Sequence, residues 1–379
     1  MVVPDWIWFV FIFALGSCVG SFLNVVIYRV PIGKSIVTPP SSCPKCGKNI
    51  QFYDNIPIIS WLVLGGRCRY CKAAISARYI AIEMLTGLLF ISLFYLYFYA
   101  RVRAGLSPLE GGWYIYFLHL ILLSALIAAS AIDLELWIIP ISICWFVTII
   151  GVVGSAIGVY VIKPAIISQF HLLPYASAET ASLAAGGGIG LIIAWLLLIK
   201  GYIKRSYEMQ ESVSTSKDTK TQIEEQQFND RAEIYKEIVF LLPIIVCSLA
   251  AYLITKHTPI HNWWLNFAKI PLIAAFLGSL WGYFIGCGVV WATRIFGTLG
   301  FGKEAMGLGD VHLMGAAGAV VGPVIATVGF FAAPFFGLAW FAFQRFFKKI
   351  LQIPYGPFLS LGIFTVMILH DEILSYLNF

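Results

Sequence analysis

The chain has 379 residues, of which 60% are hydrophobic and only 12% charged, and its formal net charge is +6. A soluble globular protein holds about 25% charged residues, so the composition excludes a soluble core as the whole fold. The basic excess does not itself point to nucleic acid, because basic cytoplasmic loops also face anionic lipid.

Apolar runs long enough to cross a ~30 Å hydrocarbon core as helix recur along the chain. Ten are legible: 6–28, 80–100, 113–132, 137–161, 183–203, 238–254, 271–292, 311–330, 331–344 and 353–370. The eighth is Gly-rich. The ninth is short and holds Pro334, so the pair is compatible with a re-entrant hairpin. With the N-terminus outside, segments 29–79, 200–237, 293–310 and 345–352 become cytoplasmic and hold 20 of the 25 Lys and Arg residues. The positive-inside bias therefore predicts an N-out topology. The start, "MVVPDWIW", lacks the basic region of a cleavable signal, and Arg29 follows the first run instead. That run is read as a retained helix.

Two polar blocks interrupt the apolar pattern. Residues 204–237 are rich in Ser, Thr, Gln and Glu, and read as a solvated, partly disordered loop whose later portion leads as helix into the sixth span. Residues 31–79 are rich in Pro, Cys and Gly. They contain Cys43, Cys46, Cys68 and Cys71 in "CPKCGKNI…GGRCRYC", two C-x2-C pairs. Four thiolates in such pairs suit tetrahedral Zn2+, and a reducing cytoplasm argues against disulfides; a redox dithiol pair is the competing reading. Gly47 and Gly65-Gly66 supply turns for the knuckles. Such a site folds a segment too short to have its own core, so zinc alone does not imply catalysis. Cys18, Cys144, Cys247 and Cys287 are scattered through spans and read as small buried hydrophobes. The fold class expected is thus all-α: a polytopic membrane bundle of about 8–10 transmembrane helices with a small cytoplasmic zinc-binding domain.

Carboxylates are costly in a bilayer. Asp133, in "ASAIDLELWIIP", closes the third span; Asp310, in "MGLGDVHLM", opens the eighth. Four predicted spans intervene, an even number, so both fall on the cytoplasmic side. Two carboxylates brought together titrate as a unit, and such a dyad can polarise a carbonyl and activate water for amide hydrolysis. Gly307 and Gly309 would permit close backbone approach or a turn that no Cβ tolerates. Spacing alone leaves open interfacial helix caps, or the coupling acids of an ion-driven transporter.

The ordered motifs narrow this. "GSCVGSFLNVVIYRVP" closes the first span. The double C-x2-C follows, with "YDNIPIISWL" between its halves and "ISARYIAIEMLTG" after it. Then come "AIDLELWIIP", "GKEAMGLGD" and "IPYGPFLSLG". In this order they resemble the type IV prepilin peptidases, bifunctional leader peptidases and N-methyltransferases of the aspartic GxGD class. The resemblance implies an endopeptidase with Asp133 and Asp310 as its catalytic pair and Zn2+ on the four cysteines. It also implies methylation of the freed N-terminus from S-adenosylmethionine. Expected partners are type IV prepilins or pseudopilins and membrane lipid, with no nucleic acid, at the bacterial inner membrane. The domains implied are a first transmembrane helix (1–28), a zinc-binding, methyltransferase-associated domain (29–79) and a membrane peptidase domain (80–379). The last would carry an inserted region, about 164–270, that includes loop 204–237. His312 stands where the family usually has Lys, and "WIIPI" lacks the Asp that commonly follows this proline. The stretch between the aspartates holds two more spans than the family norm. Glu83 is in the position of a family acid, or serves as a snorkelling or helix-terminal residue. His119 is read as satisfied by a neighbouring helix, and Tyr355-Gly356-Pro357 as shaping the active-site rim or as only a helix-start turn. A monofunctional or inactive relative, and a GxGD protease that cuts within helices, are the other readings.

Overall fold

The computed structural model describes residues 4–204, 206, 230–346 and 354–377. Among these there is no β-strand, and fourteen α-helices follow in chain order. α1 (Asp5–Arg29) is followed by short α2 (Ile59–Val63), α3 (Arg78–Phe98), α4 (Gly112–Leu136) and α5 (Ile141–Val161). Short α6 (Pro164–Phe170) precedes α7 (Ala178–Ile199), α8 (Asp230–His257), short α9 (His261–Ala268) and α10 (Pro271–Phe301). Then come α11 (Leu308–Val321), α12 (Pro323–Phe346), α13 (Gly356–Ile368) and α14 (His370–Tyr376). Eight of them (α1, α3, α4, α5, α7, α8, α10 and α12) are long and apolar enough to cross a membrane. The bent pair α13–α14 makes up to nine. The all-helical, multi-pass architecture read from composition holds.

The first seven predicted spans each correspond to one of these long helices. The eighth and ninth do not divide where the sequence suggested. The break falls at Gly322, whose φ of +86° suits glycine, with Pro323 opening α12. Pro334, read as a sign of a re-entrant hairpin, lies inside the 24-residue α12. Prolines inside membrane helices are tolerated because neighbouring groups re-satisfy the freed carbonyl. The short element is therefore α11, whose 14 residues rise about 21 Å, too little to span the hydrocarbon core. The tenth run breaks as well, with α13 and α14 meeting at 75°.

α4 is the centre of the molecule, with 72% of its apolar window buried; α8, at 0%, lies at the rim. Close helix approach depends on small residues, as expected where lipid and side chain are equally apolar. A Cβ on Gly282 would lie 2.0 Å from the Gly318 carbonyl oxygen, and one on Gly286 would lie 2.2 Å from that of Met314. The backbones of α10 and α11 are thus in direct contact. His119, mid-span on α4, is buried and paired with the Tyr97 hydroxyl at 2.7 Å, as the sequence suggested. Cys144 and Cys287 are buried, but Cys18 is exposed on the surface of α1 and Cys247 is only partly covered. The expectation of four buried thiols is corrected at those two positions, since a thiol facing lipid needs no burial in protein. Most of loop 204–237 lies outside the described residues, and its last part, from Asp230, is helix leading into the sixth span.

Candidate active site

Asp133 sits one turn before the end of α4, and both it and Asp310 are buried. α4 ends in a left-handed residue, Trp137, whose N–H returns to the Asp133 carbonyl at 2.9 Å. The reversal leads through Ile139 into α5. Asp310 occupies the third position of α11, where its Oδ2 accepts the Gly307 N–H at 3.3 Å; this is the backward half of a capping box. Asp133 Oδ2 accepts the Gly356 N–H at 3.0 Å, and Ser130 donates to Ser360 at 2.8 Å one turn earlier. α13 is thereby fixed against α4. Ile139 packs between the pieces: a Cβ on Gly309 would lie 2.8 Å from its Cβ, and one on Gly356 would lie 3.2 Å from its Cδ1. Asp310 is within electrostatic reach of both Asp133 and Arg294. Two acids from remote parts of the chain thus share one end of the bundle, each holding a backbone amide.

The two glycines before Asp310 serve different ends. Neither has a positive φ, so the expected strained turn is absent. Gly309 is required by the contact with Ile139, whereas a Cβ on Gly307 would meet nothing nearer than 3.4 Å. Gly356 was legible as rim or as a helix-start turn, and it does open α13 with Pro357 behind it; its lack of a side chain is required by Asp133, because a Cβ there would lie 2.5 Å from the carboxylate oxygen. His312 points at the Trp145 ring, 6.4 Å between centroids, and makes no hydrogen bond or ion pair among the described residues. A cation within electrostatic reach of Asp310 is Arg294 of α10, a residue that sequence reading missed. Its signal was an arginine within a predicted membrane-edge segment.

The cysteine block is compact. The sulfurs of Cys43, Cys46, Cys68 and Cys71 all lie within 4.8 Å of one another, and Cys43 and Cys71 are 3.8 Å apart. A tetrahedral Zn–S bond near 2.3 Å gives S···S edges of about 3.8 Å, so the donor set fits Zn2+. Each pair is a knuckle: the Gly47 N–H returns to the Cys43 carbonyl, and the Lys72 N–H to that of Cys68, at 2.9 and 3.0 Å. Gly47 and Lys72 take the matching left-handed position, which the sequence showed as glycine in only one repeat. Gly65 and Gly66 are also left-handed. The amides of Cys46 and Lys45 hold the Cys43 thiol down to about 6, and those of Cys71 and Tyr70 lower that of Cys68. Thiolate is the metal-binding form. Asp54 of "YDN" clamps Arg69 of the second knuckle at 2.6–3.0 Å, and this hydrogen-bonded guanidinium holds the Asp54 carboxyl below its usual range.

One contact joins this block to the bundle, and a second, beside it, joins two bundle helices. Glu83 of α3 is buried and accepts the Ile58 N–H at 2.7 Å. Ile58 has φ +65° and ψ −55°, and the Ile59 N–H reaches the Pro57 carbonyl at 2.6 Å. This is a γ-turn, strained for a β-branched residue. Glu83 is thus neither snorkelling nor a helix-terminal charge; it holds the "NIPI" turn. Arg78, at the start of α3, pairs with Glu135, two residues beyond Asp133.

Residues 14–97 match the sequence profile of the bacterial peptidase A24 N-terminal domain. A prepilin leader peptidase/N-methyltransferase of Myxococcus xanthus (strain DK1622) is 49% identical over 134 residues, 35% of this chain and 36% of that protein. A type 4 prepilin-like proteins leader peptide-processing enzyme of Escherichia coli O78:H11 is 43% identical over 139 residues, 32% of this chain and 46% of that protein. One from Dichelobacter nodosus, again a prepilin leader peptidase/N-methyltransferase, is 34% identical over 185 residues, covering 42% and 59%. The chain therefore spans between about a third and three-fifths of the length of these relatives. No solved structure matches. The likeness to type IV prepilin peptidases read from the ordered motifs is borne out.

Proposed function

We propose that this chain is a membrane aspartic endopeptidase that removes the leader from type IV prepilins or pseudopilins and then N-methylates the new N-terminus. The observation that supports the proposal is that Asp133 and Asp310 are each buried and each hold a backbone amide, with Gly356 and Gly309 beside them packed on the same Ile139. In this reading one carboxylate takes a proton from the attacking water while the other acid, protonated, gives its proton to the scissile carbonyl oxygen; the C–N bond then breaks as the proton taken from water passes to the leaving amine and the carbonyl oxygen returns its own. Burial at one end of the bundle keeps bulk water from competing. A prepilin whose scissile bond lies just outside an apolar helix would suit such a site, and the basic excess in segments 29–79, 200–237, 293–310 and 345–352 supports a cytoplasmic face for both acids. The site is then at the inner face of a bacterial inner membrane, with the N-terminus outside. No observation here favours a transporter: it leaves the cysteine block and the clamp of Gly356 on Asp133 without a role.

Zn2+ would be held by Cys43, Cys46, Cys68 and Cys71 and would supply structural closure of the 41–75 block. The methyl donor, S-adenosylmethionine, enters through the relatives. No strand–glycine loop–helix unit exists among the described residues, so no residue is assigned to it. The division into 1–28, 29–79 and 80–379, with the insertion at about 164–270, belongs to the same proposal. Sequential chemistry on one bound chain end is favoured by proximity.

Leader removal from a prepilin, scored by gel shift in membranes carrying the full chain, tests the peptidase. Asp133→Asn and Asp310→Asn should each lower the rate by about 10²–10⁴-fold without loss of membrane insertion. Wild-type processing by either variant would remove the dyad.

A further inference from the structure

α8 is a lipid-facing helix with a buried foot. None of its apolar window is buried, yet Glu233, Ile234 and Glu237 in its first turns are 7%, 0% and 3% exposed. Glu237 reaches Arg294, whose Nε lies 3.0 and 3.1 Å and Nη2 2.8 Å from the carboxylate. The Trp291 indole N–H occupies the same carboxylate at 2.7 Å. Arg294 is 0% exposed. It lies beyond the stretch of α10 needed to cross the core, because 31 residues rise about 46 Å. Its Nη1 turns the other way, onto Glu304 and the Met306 carbonyl. Thr298, also 0% exposed, accepts the Ala305 N–H at 3.1 Å. The segment that leads to Gly307 and Asp310 is therefore bound to the end of α10 at three points. The fork of one guanidinium joins it to a helix of the inserted region.

We propose that Arg294, held by Glu237 at the foot of α8, is a positioning residue that sets the 304–309 segment and with it Asp310. The role in catalysis rests on the peptidase reading; the clamp itself does not. It gives the inserted α7–α8 pair a purpose, since its rim helix ends on the arginine that aligns the catalytic strip. It also accounts for His312: the fixed positive charge near Asp310 comes from α10, not from the residue two places on.

The test uses the full chain in detergent and in membranes. Glu237→Gln leaves a buried guanidinium with a weakened partner and can fail to fold. The double variant R294M/E237L replaces the pair by apolar side chains of similar volume, a change that buried ion pairs often tolerate. Two readouts are taken on the double variant: its melting temperature beside the amide exchange of residues 302–309, and the kinetics of leader removal. The clamp predicts a retained melting temperature and faster exchange confined to 302–309. Leader removal should show a kcat lower by about 100-fold at little-changed KM. Arg294→Lys, which keeps the charge but not the fork, should not restore kcat. Unchanged exchange at 302–309 would overturn the clamp, even if the wild-type chain removed no leader. Faster exchange with wild-type kcat would overturn its role in positioning Asp310.

Discussion

At the residue scale, glycines and acids take their meaning from a neighbour. Gly307 and Gly309 look equivalent in a GxGD strip, but only Gly309 is pressed against another segment. Gly309→Ala should push α11 off Ile139 and cost about 10–100-fold in leader removal, because a displacement of this size at a catalytic group has that order of effect. Gly307→Ala should stay near wild type; equal damage from the two would refute the packing account. Asp54 offers a pH test. Its carboxyl is held below the usual 3.8 by Arg69, so the pair stabilises the cysteine block above that pH and the contribution is lost as pH falls through the lowered value. Asp54→Asn should lower the melting temperature of the block at neutral pH. It should make no difference well below 3.8, as circular dichroism on both proteins would show. Glu83, Gly356 and Arg294 were weak or invisible in the sequence for one reason: each is defined by a partner at least ten positions away.

At the element scale, apolar length and polar interruption were enough to find the long helices, because a helix in lipid must satisfy its own backbone. The ends were less legible. α11 and α12 divide at Gly322 because that residue alone takes the left-handed turn there, while Pro334 continues a helix. The α7–α8 pair rests on bare backbone contact: a Cβ on Gly186 would lie 2.3 Å from the Cys247 carbonyl, and one on Gly190 2.4 Å from that of Pro243. Gly190→Leu should therefore pry the pair apart and destabilise the protein by about 1–3 kcal/mol. A thermal melt in detergent would read this, and an unchanged midpoint would count against close packing. The cysteine block behaves as a separate element. Cys43→Ser should release zinc and abolish N-terminal methylation, read by mass spectrometry of the mature product, while leader removal survives at Asp133 and Asp310. Loss of both activities together would mean that the block is needed to hold the peptidase.

At the scale of the whole molecule, the charge distribution and the parity of the spans carry the topology. Twenty of the 25 basic residues fall in four segments on one side, and four long helices (α5, α7, α8 and α10) separate the two aspartates. Reporter fusions at residue 34 and within 204–229 should both report cytoplasm; opposite answers would break the shared face. The sequence by itself determined the all-helical membrane class, the first seven long helices and the thiol tetrad, and it singled out the two acids as candidates. These follow from local properties: apolar length, ligand spacing and the cost of a carboxylate in lipid. Only the tertiary structure decided that Gly356 holds Asp133, that Glu83 fixes a strained turn, and that Arg294 ties the 304–306 segment to α8. Such contacts join side chains remote in the chain, and their geometry exists only once the helices have packed.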